Sequence, residues 1–160
     1  MNLVDSMFSG AKPTLSEAKP SDAAPLCALH GACFHRGWSE DEFERLLVDR
    51  GVITHRAMIG GALVGFIMSR LIEVEAEILS VAVTASRRGR GLARSLLDLH
   101  MRRLAALGVR TIFLEVDEAN VPARRLYERA GFQAVGRRPG YYPQSGGRHP
   151  SALVLRCELG

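Results

Sequence analysis

The chain has 160 residues, 47% hydrophobic and 24% charged, which is the make-up of one globular domain able to bury roughly 70% of its unfolded surface without a disulfide or metal to hold it. No apolar run reaches a membrane span and the N-terminus has no apolar signal core, so a cytoplasmic protein with reduced cysteines is expected. The net charge of +4 is too mild for a long nucleic-acid track, and four of the 21 basic residues lie between Arg87 and Arg94, a local cluster that suits a small phosphorylated ligand.

In chain order, 1–13 shows no periodicity and is rich in Ser, Gly and Asn; it is expected to be a disordered extension, leaving 14–160 as the domain. A short strand over 14–18 is followed by a helix over 23–34, capped by Ser21 or Asp22, with Leu26, Cys27, Leu29, Cys33 and Phe34 on its apolar face. Cys27, His30, Cys33 and His35 diverge around one helix axis and no second Cys/His cluster exists, so no metal is expected, and Cys27 and Cys33 read as small core residues. Trp38 follows in a turn. Ser39 and Glu42 form a capping box opening a helix over 40–49.

Strands are predicted over 52–59, 62–72 and 75–83, with a Gly60-Gly61 hairpin turn between the first two. A helix over 92–107 repeats leucine at 92, 96, 97, 104 and 107 and ends at Gly108. The nearly continuous apolar run 109–116 reads as a central strand, broken by Glu115. Asn120 caps a further helix with Pro122 in its first turn, and Gly131 stops it. Strands over 132–138 and 151–158 finish the chain, separated by a loop, 139–150, long enough to be functional. The order β-α-α-β-β-β-α-β-α-β-β predicts an α/β domain with three layers: a mixed central sheet with helices on both faces.

The stretch 78–97, ILSVAVTASRRGRGLARSLL, runs from strand to helix through a glycine-punctuated turn. Such a turn aims backbone N–H groups and a positive helix end at one spot, which wants an anion. Gly89 and Gly91 admit close approach, and Arg87, Arg88, Arg90 and Arg94 supply charge. It is neither a P-loop nor a full dinucleotide fingerprint. The pattern Arg88-Gly89-Arg90-Gly91-Leu92-Ala93 resembles the acetyl-CoA loop of the Gcn5-related N-acetyltransferases, whose element order the chain also shares.

Acetyl transfer to an amine needs a proton acceptor, stabilisation of the developing oxyanion, and a proton for the departing thiolate. Glu115, a carboxylate at the end of an apolar run, is the candidate base, with a structural carboxylate bonded to the neighbouring loop as its other reading. Tyr127 is the candidate acid; a core aromatic with a locally satisfied hydroxyl is an equally open reading of that residue alone. An α-amine with a pKa near 8 costs about 1 kcal/mol to neutralise at pH 7, and a lysine about 4.6 kcal/mol, so one carboxylate suits an N-terminal amine more comfortably.

The segments LEVDEANVPARRLYERAGF (114–132), FHRGWSEDEF (34–43) and GYYPQSGGRHPSALVL (140–155) are similar to the bacterial ribosomal-protein-alanine N-acetyltransferases. With the loop, four blocks spread over 14–159 match. The resemblance implies the acyl-CoA N-acyltransferase fold and acetyl transfer from acetyl-CoA to the N-terminal alanine of a small-subunit ribosomal protein. It implies Glu115 as proton acceptor, Tyr127 as proton donor, and Asn120 as a cofactor contact. Backbone at Val81, Ala82 and Val83 would pair with the pantetheine arm, and backbone from Arg88 through Gly89, Arg90, Gly91, Leu92, Ala93 and Arg94 would hold the pyrophosphate.

Trp38, Tyr141 and Tyr142 are candidate peptide contacts, with loop packing as their alternative. Glu115, Asp117 and Glu118 form an acidic rim that would favour a basic peptide end. The extension before Thr14 has no counterpart in the resemblance. The competing readings are a lysine or small-molecule acetyltransferase on the same scaffold, an acyl-CoA sensor without turnover, and an RNA-binding module using RRGRG. The last lacks interleaved aromatics, so no direct nucleic-acid binding is expected. No membrane partner is expected either, and the sequence leaves the oligomeric state open.

Overall fold

The computed structural model describes residues 10–140 and 151–160. Seven strands and four α-helices follow in the predicted order: β1 (Thr14–Glu17), α1 (Ala23–Cys33), α2 (Glu40–Val48), β2 (Val52–Ile59), β3 (Ala62–Ile72), β4 (Glu75–Val83), α3 (Leu92–Ala106), β5 (Thr111–Asp117), α4 (Val121–Arg129), β6 (Gln133–Arg138) and β7 (Ala152–Glu158). Two single 3-10 turns, Pro20–Asp22 and Ala85–Arg87, are added to the expected set. The strands form one mixed sheet in the order β1-β2-β3-β4-β5-β7-β6, with β4–β5 parallel and β1–β2, β5–β7 and β6–β7 antiparallel. The domain is the expected three-layer α/β fold. It divides into two compact units, 1–69 with 80–100 and 70–79 with 101–160.

In the first unit, β3 is covered on both faces, because successive residues of a strand point to opposite sides. Phe66 meets Phe43 of α2 edge-to-face at 6.0 Å. Its neighbour Gly65 faces Leu96 of α3: a Cβ there would lie 3.1 Å from the Leu96 Cδ1 and 3.2 Å from the Ala82 carbonyl oxygen. Leu26, Phe43, Phe66, Leu96 and Leu97 are fully buried.

Two expectations for α1 fail. Asp22 does not cap the helix with its side chain. It is buried, accepts the Lys19 N–H at 2.7 Å, and binds the Arg56 guanidinium through both oxygens at 2.7 and 2.8 Å, because a buried carboxylate needs a full charge partner more than a helix needs one cap. Cys27 and Cys33 are half-buried and Phe34 is exposed, so the apolar face of α1 is carried by Leu26 and Leu29. Ser39 does cap α2, accepting the Glu42 N–H at 3.1 Å.

In the second unit, β5 begins at Thr111, two residues later than the apolar run predicts. The Val109 N–H is spent on the Leu104 carbonyl, closing the end of α3 after Gly108 turns at φ 91°. Along β5, Ile112, Leu114 and Val116 are buried, whereas Glu115 and Asp117 are exposed. β7 pairs with β5 over its length, Glu115 opposite Val154. β6 pairs with β7 through a bulge: Ala134 faces Leu155 and Gly136 faces Val154, leaving Val135 as the extra residue.

Candidate active site

Val83 ends β4, and the chain turns through Ala85–Arg87 into α3. Gly89 (φ 75°) and Gly91 (φ 80°) both take the left-handed conformation, and nothing lies within 4 Å of a Cβ built on either. The Gly91 carbonyl accepts the Ser95 N–H at 3.0 Å, so Gly91 opens the helix and the first-turn amides have no partner within it. The turn is therefore open at both glycines, and it leads into a helix start of the kind that can receive an anion.

The four arginines do not act alike. Arg88 folds back, its Nε donating to the Val83 carbonyl at 3.2 Å and an Nη to the Cys33 sulfur at 3.4 Å. Arg94 pairs with Asp98 one helical turn on, at 2.9 Å. Arg87 and Arg90 line a cavity of about 490 Å³ together with Gly91, Leu92, Ser95 and Lys12. Lys12, from the segment before β1, adds a cation from outside the basic cluster at 87–94. Val81 is half-buried, and Ala82 and Val83 are buried. Within the second unit the β4–β5 ladder covers Glu75–Ile78 against Thr111–Leu114.

In the second unit, Glu115 and Tyr127 stand in contrasting environments. Glu115 is 37% exposed at its side chain, and its Oε1 lies 2.8 Å from an Nη of Arg138. Tyr127, on α4, is 8% exposed, and burial pushes its phenol up to about 12, so the hydroxyl stays protonated across the neutral range. Its ring meets Phe132 edge-to-face at 5.7 Å. Asn120 caps α4, its side-chain oxygen accepting the Ala123 N–H at 3.2 Å.

The expected acidic rim is largely neutralised. Glu115 pairs with Arg138, Glu118 pairs with Arg137 at 3.0 Å, and Asp117 accepts the Ala119 N–H at 2.8 Å in the turn before α4. The two arginines lie 19 or more residues away in sequence and reach the rim through strand register. No local pattern marks them.

Trp38 is half-buried. Its ring stacks on His30 at 4.5 Å, and its backbone N–H donates to the His30 Nδ1 at 3.2 Å. Phe34 stacks on the same imidazole at 4.4 Å, and Cys27 donates to the Trp38 carbonyl. These contacts account for Trp38 as packing that fixes the α1–α2 connection. Tyr141 and Tyr142 lie outside the described residues. Among the described residues no three His, Cys, Asp or Glu side chains are arranged to hold a metal ion, and no helix is long and apolar enough to cross a membrane.

Comparison with known proteins adds to this geometry. The sequence model of the acetyltransferase (GNAT) family matches residues 23–132. The [ribosomal protein bS18]-alanine N-acetyltransferase of Haemophilus influenzae is 36% identical over 97 residues, 61% of this chain and 66% of that protein. Its counterpart in Escherichia coli K12 is 31% identical over 141 residues, 88% of this chain and 95% of that one. The crystal structure of the Escherichia coli ribosomal-protein-S18-alanine N-acetyltransferase superposes with a TM-score of 0.84 at 26% identity, covering 92% of this chain and 94% of the other.

Proposed function

Because this chain belongs to the acetyltransferase (GNAT) family, and is thereby an acetyl-CoA-dependent N-acetyltransferase, we propose that it acetylates the N-terminal alanine of a small-subunit ribosomal protein in the cytoplasm. The observation that carries this reading is the similarity to the Escherichia coli alanine N-acetyltransferase over 95% of that protein. It is supported by the buried Tyr127, whose phenol burial pushes up to about 12, and by the exposed Glu115, which already pairs with a cation.

The chain's own residues then take these roles. The open turn at Gly89 and Gly91, with the first-turn amides of Leu92, Ala93 and Arg94, holds the pyrophosphate, and Arg87 and Arg90 add charge. Arg88 works indirectly, clamping the turn to Val83. Backbone at Val81, Ala82 and Val83 binds the pantetheine arm as an added strand would, and Asn120 contacts the cofactor while capping α4. Acetyl-CoA supplies a thioester carbonyl already activated for attack by an amine. Glu115 takes the proton from the α-ammonium, and the freed amine adds to the thioester carbonyl. As the C–S bond breaks, Tyr127 gives its proton to the departing thiolate and regains one from the proton that the new amide nitrogen sheds. Tyr141 and Tyr142 are assigned to the peptide side, whereas Trp38, packed on His30, is the residue that fixes the α1–α2 connection.

The direct test is thiol release from acetyl-CoA with two peptides, one starting with free alanine and one blocked at its N-terminus with an internal lysine. Release with the first alone is expected. Release with the lysine peptide alone would replace this substrate, and release with neither, despite acetyl-CoA binding, would remove the protein-substrate reading altogether.

A further inference from the structure

The carboxylate proposed to receive the substrate amine already holds a cation. An Nη of Arg138 stands 2.8 Å from the Glu115 Oε1, and the register explains how a residue 23 positions away gets there. Glu115 lies opposite Val154, and Val154 lies opposite Gly136. Residues two apart on a strand share a face, so Arg138 shares the face of Gly136 and hence of Glu115. Val135, bulged out of the ladder, sets this parity. In an unbulged β6, Arg137 would stand opposite Ala152 and face Glu115, and Arg138 would turn to the other side. The bulge thus selects which arginine meets the carboxylate.

A peptide α-ammonium arriving at Glu115 is a second cation at the same carboxylate, and like charges within about 4–6 Å repel. Guanidinium and ammonium cannot both hold Glu115 without cost. We propose that Arg138 is a placeholder for the substrate amine, held on Glu115 between turnovers and displaced by the α-ammonium of the incoming peptide. One ion pair is exchanged for another, so the carboxylate is never left without a counter-charge. Both partners reach solvent, with side-chain exposures of 66% and 37%, so Arg138 is free to swing out, and an exposed pair of this kind is weak enough to be displaced. The exchange makes Arg138 a specificity-determining residue: a cationic amine pays back the lost pair, whereas a neutral acceptor does not.

This inference rests on Glu115 as the base, and its test separates the two. Peptide affinity is measured by calorimetry with an alanine-starting peptide, and turnover by thiol release, for the wild type, Arg138→Leu, Arg138→Lys, Glu115→Gln and the Arg138→Leu/Glu115→Gln double variant. Arg138→Leu is expected to tighten peptide binding about three- to five-fold, the scale of an exposed ion pair, with the KM for acetyl-CoA unchanged. Arg138→Lys, which keeps the cation, is expected to return wild-type affinity. In the Glu115→Gln background, Arg138→Leu is expected to change nothing. Unchanged or weakened peptide binding in Arg138→Leu overturns the placeholder, as does an equal gain in the Glu115→Gln background. Turnover of Glu115→Gln is read separately: undiminished turnover removes the base reading, whatever the affinities show.

Discussion

A side chain that accepts a proton at neutral pH must be ionised, and one that gives a proton must not. Glu115 is exposed enough to stay solvated and has a guanidinium against it. Tyr127 is buried and keeps its proton up to about 12. Under the proposed mechanism the two substitutions have different pH signatures. Glu115→Gln is expected to lower kcat/KM about 100-fold near pH 7, within the usual range for a general base. That loss shrinks as pH passes 8, where the α-amine loses its proton unaided. Tyr127→Phe is expected to lower kcat by a similar factor at every pH from 6 to 9, because the phenol it removes does not titrate there. Its ring packing against Phe132 is retained, so Tm should hold. A pH-independent loss for Glu115→Gln, or full activity for Tyr127→Phe, would each remove the corresponding role.

Elements were legible where a local rule decides them. The Ser39 cap, the Gly60-Gly61 turn and the strand–turn–helix at 78–97 follow from residues within a few positions of each other. What the sequence hid is set by partners far along the chain. Asp22 reads as a cap until Arg56 is beside it, and the acidic rim reads as acidic until the bulged strand brings Arg137 and Arg138 to it. Gly65 is a third case. Within β3 it looks like a weak point, yet α3 and β4 close on it from the same side, with the Leu96 methyl and the Ala82 carbonyl 3.1 and 3.2 Å from where a Cβ would be. The methyl can move but the carbonyl belongs to the ladder. Gly65→Ala is therefore expected to cost about 1–2 kcal/mol of overpacking, read as a Tm fall of roughly 3–8 °C, and to raise the KM for acetyl-CoA through the shift at Ala82. Gly31, in α1 with nothing within 4 Å of a built Cβ, has the opposite expectation: Gly31→Ala should stabilise by about 0.5–1 kcal/mol. Equal effects at the two positions would remove the packing argument.

At the scale of the whole molecule, folding must keep a set of buried polar groups uncharged. His100 is fully buried on α3. Its Nδ1 lies 2.7 Å from the Nδ1 of His55, and its Nε2 lies 2.6 Å from the Ser69 hydroxyl. Burial, and then the neighbouring His55, lower His100 from 6.5 to about 3. Burial lowers His30 as well, partly offset by Glu42. The folded protein therefore refuses a proton that the unfolded chain binds below about 6.5. The stability from His100 is complete above that pH and is lost as pH falls towards about 3, at about 1.4 kcal/mol per pH unit. Urea unfolding at pH 7.5 and 5.0 should show a loss of which about 2 kcal/mol belongs to His100. His100→Asn, which retains hydrogen-bonding capacity but does not titrate, should show a smaller loss by that amount, whatever its absolute stability. An identical fall in both proteins would mean that the acid sensitivity comes from elsewhere than His100.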